Sequence, residues 1–171
     1  MPVSEATNVL IVGVGGQGVL KAGQVLADAL VACGHDVKQS EVHGMAQRGG
    51  SVVSEVRWGA RVFSPLAPWG AADFIVVLDD VEGRRAAPRL RPGRGRLVSL
   101  PAGPESGLAD RRCRNMAALG LLARYLSVPV EVWHDAIRRA LPPVTHESNV
   151  AAFEAGRRHD PDGADHAASV G

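Results

Sequence analysis

The stretch NVLIVGVGGQG, residues 8–18, constrains the possible fold more than any other part of the sequence. An uncharged run leads directly into the four glycines of one short turn: Gly13, Gly15, Gly16 and Gly18. A short apolar run that ends in glycine is typical of a strand buried on both faces of a parallel sheet. After Gly18, apolar residues recur at spacings of three and four, which predicts an amphipathic helix to about Cys33. Gly34 then follows as a natural helix terminator, so the glycines lie at a strand-to-helix turn.

The turn matches the pattern G-x-G-x-x-G in the strand-turn-helix context that this pattern requires. Glycine permits a positive φ and a close approach of the backbone, and the first helical turn presents free N–H groups at the positive end of the helix dipole. This glycine loop, residues 13–18, is therefore predicted to hold an anion such as a phosphate or a carboxylate. Two alternatives stay open. The glycines could serve only to pack the helix on the sheet, or the loop could bind a dinucleotide, with Glu41 about 20 positions on as the ribose ligand.

Strands and helices alternate along the rest of the chain. Strands are predicted at 35–40, 51–58, 74–78 and 96–100, and helices at 80–90, 115–126, 131–141 and 148–155. This alternation predicts an α/β domain with a Rossmann-like, mostly parallel sheet and helices on both faces. A tight turn at Gly59-Ala60 predicts an added antiparallel hairpin between residues 51–58 and 61–63. Gly156 is expected to close the last helix, which assigns residues 1–156 to the domain and the polar segment 157–171 to a disordered tail.

A second loop, EVHGMAQRGG at residues 41–50, has no regular period and carries the polar side chains of His43, Gln47 and Arg48 close to its glycines. Ligands of α/β sheets lie at the carboxyl ends of the strands, so this loop, the glycine loop and Asp79-Asp80 are expected at one edge. Arg48 suits a bidentate contact with a carboxylate or phosphate, and His43 is a second candidate site residue. Each also has an ordinary alternative: a loop arginine often binds carbonyls or a surface acid, and a single histidine is often structural.

Composition and spacing argue against several other functions. The 171 residues correspond to about one domain, and a net charge of +1 gives no indication of nucleic-acid or membrane binding. No apolar stretch reaches the ~18 residues of a membrane span, and no basic segment suggests a signal peptide. The histidines lack metal-ligand spacing, and no nucleophile elbow is present. Cys33 and Cys113 are expected to be buried free thiols in a reducing compartment, which predicts a cytoplasmic protein.

Several motifs together resemble the gamma-type domain of 2-oxoacid:ferredoxin (acceptor) oxidoreductases. They are NVLIVGVGGQGV at 8–19, SEVHGMAQRGGSVVSEVR at 40–57, SPLAPWGAADFIV at 64–76, and the late spacing of Asn149, Phe153 and Gly156. The form EVHGMxQRGG is similar to the beta subunit of indolepyruvate oxidoreductases rather than to pyruvate gamma subunits. Between Leu100 and Asn115, however, the chain is short and arginine-rich where the family is expected to have a further strand.

The resemblance implies one subunit of a larger enzyme. In this family a 2-oxoacid is decarboxylated on thiamine diphosphate, electrons pass through iron–sulfur clusters to ferredoxin, and the acyl group passes to coenzyme A. The thiamine-binding GDG…NN pattern and cluster cysteines are absent from this sequence. Thiamine diphosphate, Mg²⁺ and the clusters are therefore expected on an alpha-type partner subunit, with coenzyme A shared in a hetero-oligomer and ferredoxin contacted indirectly. No metal site is expected in this chain.

The resemblance also assigns residues to the site. In the first loop these are Gly13, Gly15, Gly16, Gln17 and Gly18, and in the second they are Glu41, His43, Gly44, Gln47, Arg48, Gly49, Gly50 and Ser51. The N–H groups of residues 15–18 would hold a coenzyme A phosphate or orient the loop against the partner. Arg48 would pair with an anion or a partner carboxylate, while His43 and Gln47 supply neutral hydrogen bonds. The alternatives are an independent NAD(P)- or FAD-binding oxidoreductase and a purely structural subunit.

Overall fold

The computed structural model of the chain describes residues 6–44, 49–101 and 108–160. The strands are β1 (Thr7–Val14), β2 (Asp36–His43), β3 (Ser51–Gly59), β4 (Phe74–Val77) and β5 (Arg96–Ser99). The α-helices are α1 (Val19–Ala32), α2 (Asp80–Ala86), α3 (Arg114–Ala123), α4 (Val130–Ala140) and α5 (His146–Arg158). Single 3₁₀ turns lie at Ala87–Arg89, Arg111–Cys113 and Pro143–Thr145.

The five strands form one mixed sheet in the order β2-β3-β1-β4-β5. Strand β4 pairs in parallel with β1 and with β5, whereas β3 pairs antiparallel with both β1 and β2. Four strands therefore run in one direction and β3 runs against them. The predicted α/β class, with a mostly parallel sheet and an antiparallel part, is confirmed. Residues 9–12 of β1 are at most 1% exposed because both faces of the sheet are covered there.

The prediction that residues 51–58 form a hairpin with residues 61–63 is wrong. Strand β3 pairs with β2 across the second loop and with β1 on its other side, and residues 61–63 belong to no strand. Instead, the Val62 N–H donates to Asp36 Oδ2 at 2.7 Å. Strand β2 also extends to His43, three residues beyond its predicted end, so Glu41 and His43 lie in a strand rather than in a loop. Alternating polarity identifies a half-buried strand but not the strand with which it pairs.

Helices cover both faces of the sheet, as predicted. On one face α1 and α3 pack on the strands, and α4 and α5 form an outer layer on these two helices. The core of this face includes Val9, Ile11, Leu26, Val56, Val76, Met116, Trp133 and Phe153. On the other face α2 covers a smaller core of Leu10, Val12, Ala72, Ile75, Val77 and Ala86. Helix α2 ends at Ala86, earlier than predicted, because Pro88 cannot continue the α-helical hydrogen bonds.

A strap of residues 61–72 crosses the face that α2 leaves open. The Arg57 guanidinium donates to the carbonyl oxygens of Ser64 and Leu66 at 2.8 and 2.7 Å. Glu55, 2% exposed, accepts the Ala67 N–H at 2.9 Å and pairs with Arg89 at 2.6 Å. A buried carboxylate without such partners would be costly, so these contacts determine where the strap lies.

Helices α3 and α5 cross at two glycines. A β-carbon at Gly120 would overlap the Phe153 carbonyl, and one at Gly156 would overlap the Ala117 carbonyl. Gly156 therefore does not end the last helix, which continues to Arg158. Its physical role is to allow the two helix backbones to approach closely.

Replacing Gly156 with Ala is expected to destabilise the protein. At an exposed helical position this change would stabilise by about 1 kcal/mol through helix propensity. At Gly156, overlap of the new β-carbon with the Ala117 carbonyl should outweigh this gain and lower the free energy of unfolding by about 2 kcal/mol. Urea denaturation of the purified chain measures this, with Ala151→Gly, an exposed site on the same helix, as the reference for propensity alone. A Gly156→Ala variant more stable than the native chain would contradict the close crossing.

Candidate functional site

Three segments meet at the carboxyl edge of the sheet: the glycine loop, the end of the second loop, and the start of α2. The Gly15 N–H donates to the Gly50 carbonyl oxygen at 3.0 Å. Ser51 Oγ donates to Glu82 Oε2 at 2.7 Å, and Arg85 donates to the other oxygen of the same carboxylate at 2.7 Å. Asp79 caps α2 by accepting N–H groups of its first turn. The predicted convergence of these segments is confirmed.

The glycine loop is locked from inside by Gln17. Its Oε1 accepts the Val14 N–H at 2.9 Å. A β-carbon on Gly13 would lie 2.6 Å from that same oxygen and 3.1 Å from Leu78 Cβ, so the side-chain amide lies against bare backbone. Gly16 and Gly18 have φ values of +94° and +76°, which other residues rarely adopt. The loop conformation thus requires glycine for two separate physical reasons, space and backbone torsion.

Asn115, which the sequence analysis did not select, supports the loop from α3. Its Nδ2 donates to the Gly18 carbonyl oxygen at 3.2 Å, and its Oδ1 accepts the Met116 N–H at 2.9 Å. A β-carbon on Gly18 would overlap this amide. The available sequence signal was a buried amide at the start of an otherwise apolar helix. That signal becomes informative only when α3 is known to pack beside the loop.

The N-terminus of α1 has no side-chain cap. Gly18 occupies the N-cap position, and the first turn contains no acidic residue. The turn therefore presents its N–H groups and positive dipole end without an internal anion. It borders a cavity of about 330 Å³ lined by Val14, Gly15, Gly16, Gly18, Val19, Leu20, Lys21, His43 and Val52. His43 is the predicted second-loop side chain that lines this cavity among the residues that the structure describes.

Glu41 and His43 lie at the exposed end of β2. His43 Nε2 is 3.9 Å from Glu41 Oε2, with the two side chains 55% and 40% exposed. Strand β3 lies between β2 and β1, so Glu41 is two strand spacings, about 10 Å, from the strand that leads into the glycine loop. In a dinucleotide-binding fold the second strand is the direct neighbour of the first. The sheet order therefore argues against Glu41 as a ribose ligand.

Gln47 and Arg48 lie outside the described residues, but both ends of their loop are defined. The Gly44 N–H donates to the Ser51 carbonyl oxygen at 2.7 Å, which closes the hairpin. Gly49 has a φ of +66°, and its N atom lies 3.5 Å from the place of a Gly15 β-carbon. The next residue, Gly50, accepts the Gly15 N–H, so the second loop bonds to the glycine loop two residues after Arg48.

Other sequence predictions can be placed within the same described residues. Across 6–44, 49–101 and 108–160, no cluster of three or more His, Cys, Asp or Glu side chains could hold a metal ion. No helix in these ranges has the length and apolar character needed to cross a membrane. Both cysteines are free, and Cys113 is buried as predicted, but Cys33 is exposed because it lies just beyond the end of α1.

Substitution of Gln17 by Met should loosen the glycine loop while keeping the side-chain length. The Val14 N–H would lose its acceptor, so we expect a loss of about 1 kcal/mol in the free energy of unfolding. The matched control is Gln24→Met on the exposed face of α1, expected to change stability by less than about 0.5 kcal/mol. Urea denaturation of both variants tests this, and equal stabilities would show that the Gln17 contact does not hold the loop.

The chain is similar in sequence to proteins of one known family. The family model described as pyruvate ferredoxin/flavodoxin oxidoreductase matches residues 8–106 and 102–159. The indolepyruvate oxidoreductase subunit IorB of Pyrococcus horikoshii is 44% identical over 190 aligned residues, which cover 87% of this chain and 93% of that protein.

Two solved structures share the fold. The gamma subunit of a keto/oxoacid ferredoxin oxidoreductase from Geobacter sulfurreducens superimposes with a TM-score of 0.70 at 22% identity, covering 88% of this chain and 95% of that one. The 2-oxoglutarate:ferredoxin oxidoreductase of Magnetococcus marinus, solved with 2-oxoglutarate, coenzyme A and succinyl-CoA bound, gives a TM-score of 0.77 at 17% identity, covering 92% of this chain and 32% of that one. The matched family model and the identity to IorB lead to one assignment: this chain belongs to the pyruvate ferredoxin/flavodoxin oxidoreductase family.

Proposed function

We propose that the chain is a subunit of an indolepyruvate-type 2-oxoacid:ferredoxin oxidoreductase. The observation that carries this proposal is the 44% identity to IorB, which spans 87% of this chain and 93% of the relative. In the proposed complex the chain assists oxidative decarboxylation of the 2-oxoacid to an acyl-coenzyme A. The isolated chain is expected to be inactive.

The cofactors of the reaction are assigned to a partner. Thiamine diphosphate with Mg²⁺ requires carboxylate and amide ligands, and the described residues contain no acidic or histidine cluster that could hold a metal ion. Iron–sulfur clusters require sets of cysteines, whereas this chain has two, far apart in sequence. We therefore place thiamine diphosphate, Mg²⁺ and the clusters on an alpha-type subunit, and ferredoxin contact with that subunit. Free Cys33 and Cys113 suit a reducing compartment, so the complex is proposed to work in the cytoplasm.

Coenzyme A is the ligand that this chain's own residues fit. Its phosphates are anions, and the uncapped N-terminus of α1 offers backbone N–H groups with no acidic side chain in the first turn. The glycine loop is already held by Gln17, Asn115 and the bond between Gly15 and Gly50. Binding an anion there would require little additional ordering of the loop. Coenzyme A, when bound, supplies the thiol that accepts the acyl group.

Arg48 is proposed as the cation of the second loop. Gly50, two residues after Arg48 in sequence, bonds to the glycine loop, so Arg48 is proposed to act where the two loops meet. There it would pair with a coenzyme A phosphate or with a partner carboxylate. His43, at the cavity wall, and Gln47 would supply neutral hydrogen bonds.

Co-expression with a thiamine-binding subunit tests the subunit assignment. We expect indolepyruvate-dependent dye reduction by the co-purified pair and no reduction by this chain alone. Full activity of the thiamine-binding subunit without this chain, or failure of the two to co-purify, would contradict the proposal. A stable complex whose activity does not respond to substitutions in either loop would support the structural-subunit alternative.

Within that complex, Arg48→Ala should lower turnover about tenfold or more, because a charge-assisted hydrogen bond is worth about 1.5–3 kcal/mol. The matched control is Arg94→Ala. Arg94 is exposed in the turn before β5, at the amino ends of the parallel strands and therefore away from the two loops. Size-exclusion chromatography separates the two possible roles of Arg48. A lost complex would assign it to assembly, whereas an intact complex with native turnover would show that Arg48 has no role in the site.

A further inference from the structure

A second cavity lies beside the glycine loop, on the side formed by the turn before α3. Its volume is about 170 Å³, and it is lined by Gly16, Gln17, Leu78, Arg111, Arg112 and Arg114. We propose that this arginine pocket binds a phosphate group of a phosphate-bearing ligand. The pocket is distinct from the cavity at the α1 N-terminus, with which it shares one lining residue, Gly16.

The charge of the pocket is unbalanced. Arg112 makes a bidentate pair with Asp110, with N–O distances of 2.9 to 3.2 Å, and these bonds hold the pKa of Asp110 below its usual range. Arg114 donates to the neutral carbonyl oxygens of Leu100 and Pro101. The Arg111 side chain makes no hydrogen bond or ion pair with any residue in the described ranges. Three guanidinium groups therefore line one small cavity, and among residues 6–44, 49–101 and 108–160 the carboxylate that pairs with any of them is that of Asp110.

Another part of the pocket lining is the open backbone of the glycine loop. Gly16 has a φ of +94°, and no atom lies within 4 Å of the place where its β-carbon would be. Its N–H forms no hydrogen bond within the part of the chain that the structure describes. A phosphate oxygen can approach such a backbone closely while a guanidinium group of the same pocket binds two other oxygens.

The size of the pocket matches a single phosphate group. An apolar cavity of about 150 Å³ is known to hold benzene, which has six heavy atoms. A cavity of about 170 Å³ therefore accommodates a five-atom phosphate group but not a whole nucleotide. The remainder of a larger ligand would extend to solvent past the exposed Arg111 and Arg112.

The fixed contacts of Arg112 and Arg114 assign different roles to the three arginines. Two guanidinium groups are positioned in advance by Asp110 and by the carbonyls at the end of β5. Arg111 is available to close on the ligand. Phosphate binding itself does not depend on the proposed enzymatic function, but identification of the ligand as coenzyme A does.

Isothermal titration of the purified full chain with inorganic pyrophosphate tests the pocket. We expect saturable binding that Arg111→Ala weakens about tenfold, as loss of a charge-assisted contact predicts, and that Arg94→Ala leaves unchanged. Arg111→Lys keeps the charge but loses the planar guanidinium that can bind two oxygens at once. Its affinity for pyrophosphate should therefore lie between those of Arg111→Ala and Arg94→Ala. Far-UV circular dichroism confirms that each variant is folded. No binding by the native chain, or equal loss in both alanine variants, would overturn the proposal.

Titration with coenzyme A and dephospho-coenzyme A then identifies the source of the phosphate. Arg111-dependent binding that is tighter for coenzyme A assigns the pocket to the 3′-phosphate, and equal affinity assigns it to the pyrophosphate. The two proposals can fail separately. An active complex whose chain binds pyrophosphate independently of Arg111 would overturn the pocket alone. Arg111-dependent binding by a chain that supports no oxidoreductase activity would overturn the enzymatic proposal alone.

Discussion

Close approach of backbone at the glycine loop is the constraint on which the rest of the structure depends. Gly13 allows the Gln17 amide to lie against β1, and Gly18 allows the Asn115 amide to lie against the start of α1. These two contacts join the loop to itself and to α3. Because Leu78 at the end of β4 also borders Gly13, any added side chain there would displace the loop, the sheet edge or both.

Insertion of β3 between β2 and β1 gives this fold its particular site. In a sheet where β2 directly adjoins β1, the loop after β2 would lead to a crossover helix. Here it is the turn of a hairpin, and its last residues bond to the glycine loop through Gly15 and Gly50. The same insertion moves Glu41 away from β1. One change of topology thus brings the second loop to the glycine loop and removes the geometry of a ribose ligand.

Local signals predicted the elements of this fold better than their partners. The buried run before Gly13, the period of α1 and the αL position of Gly34 were each readable because they depend on neighbours in sequence. The partner of β3 and the role of Gly156 were not readable, because both depend on segments far away in the chain. For the same reason Asn115 and Glu82 could not be assigned to the support of the loops from the sequence, because each helix had first to be placed beside them.

The glycine loop borders two cavities, and we propose that each receives an anionic group. One side presents the uncapped N-terminus of α1 to a cavity with His43 on its wall, and the other presents the open backbone of Gly16 to three arginines. Backbone N–H groups attract anions without adding a side chain, whereas arginines add charge that can be selective for phosphate geometry. A loop with both arrangements can engage two phosphate groups of one ligand at once. Rigid support from Gln17 and Asn115 then matters, since it fixes the distance between the two sides.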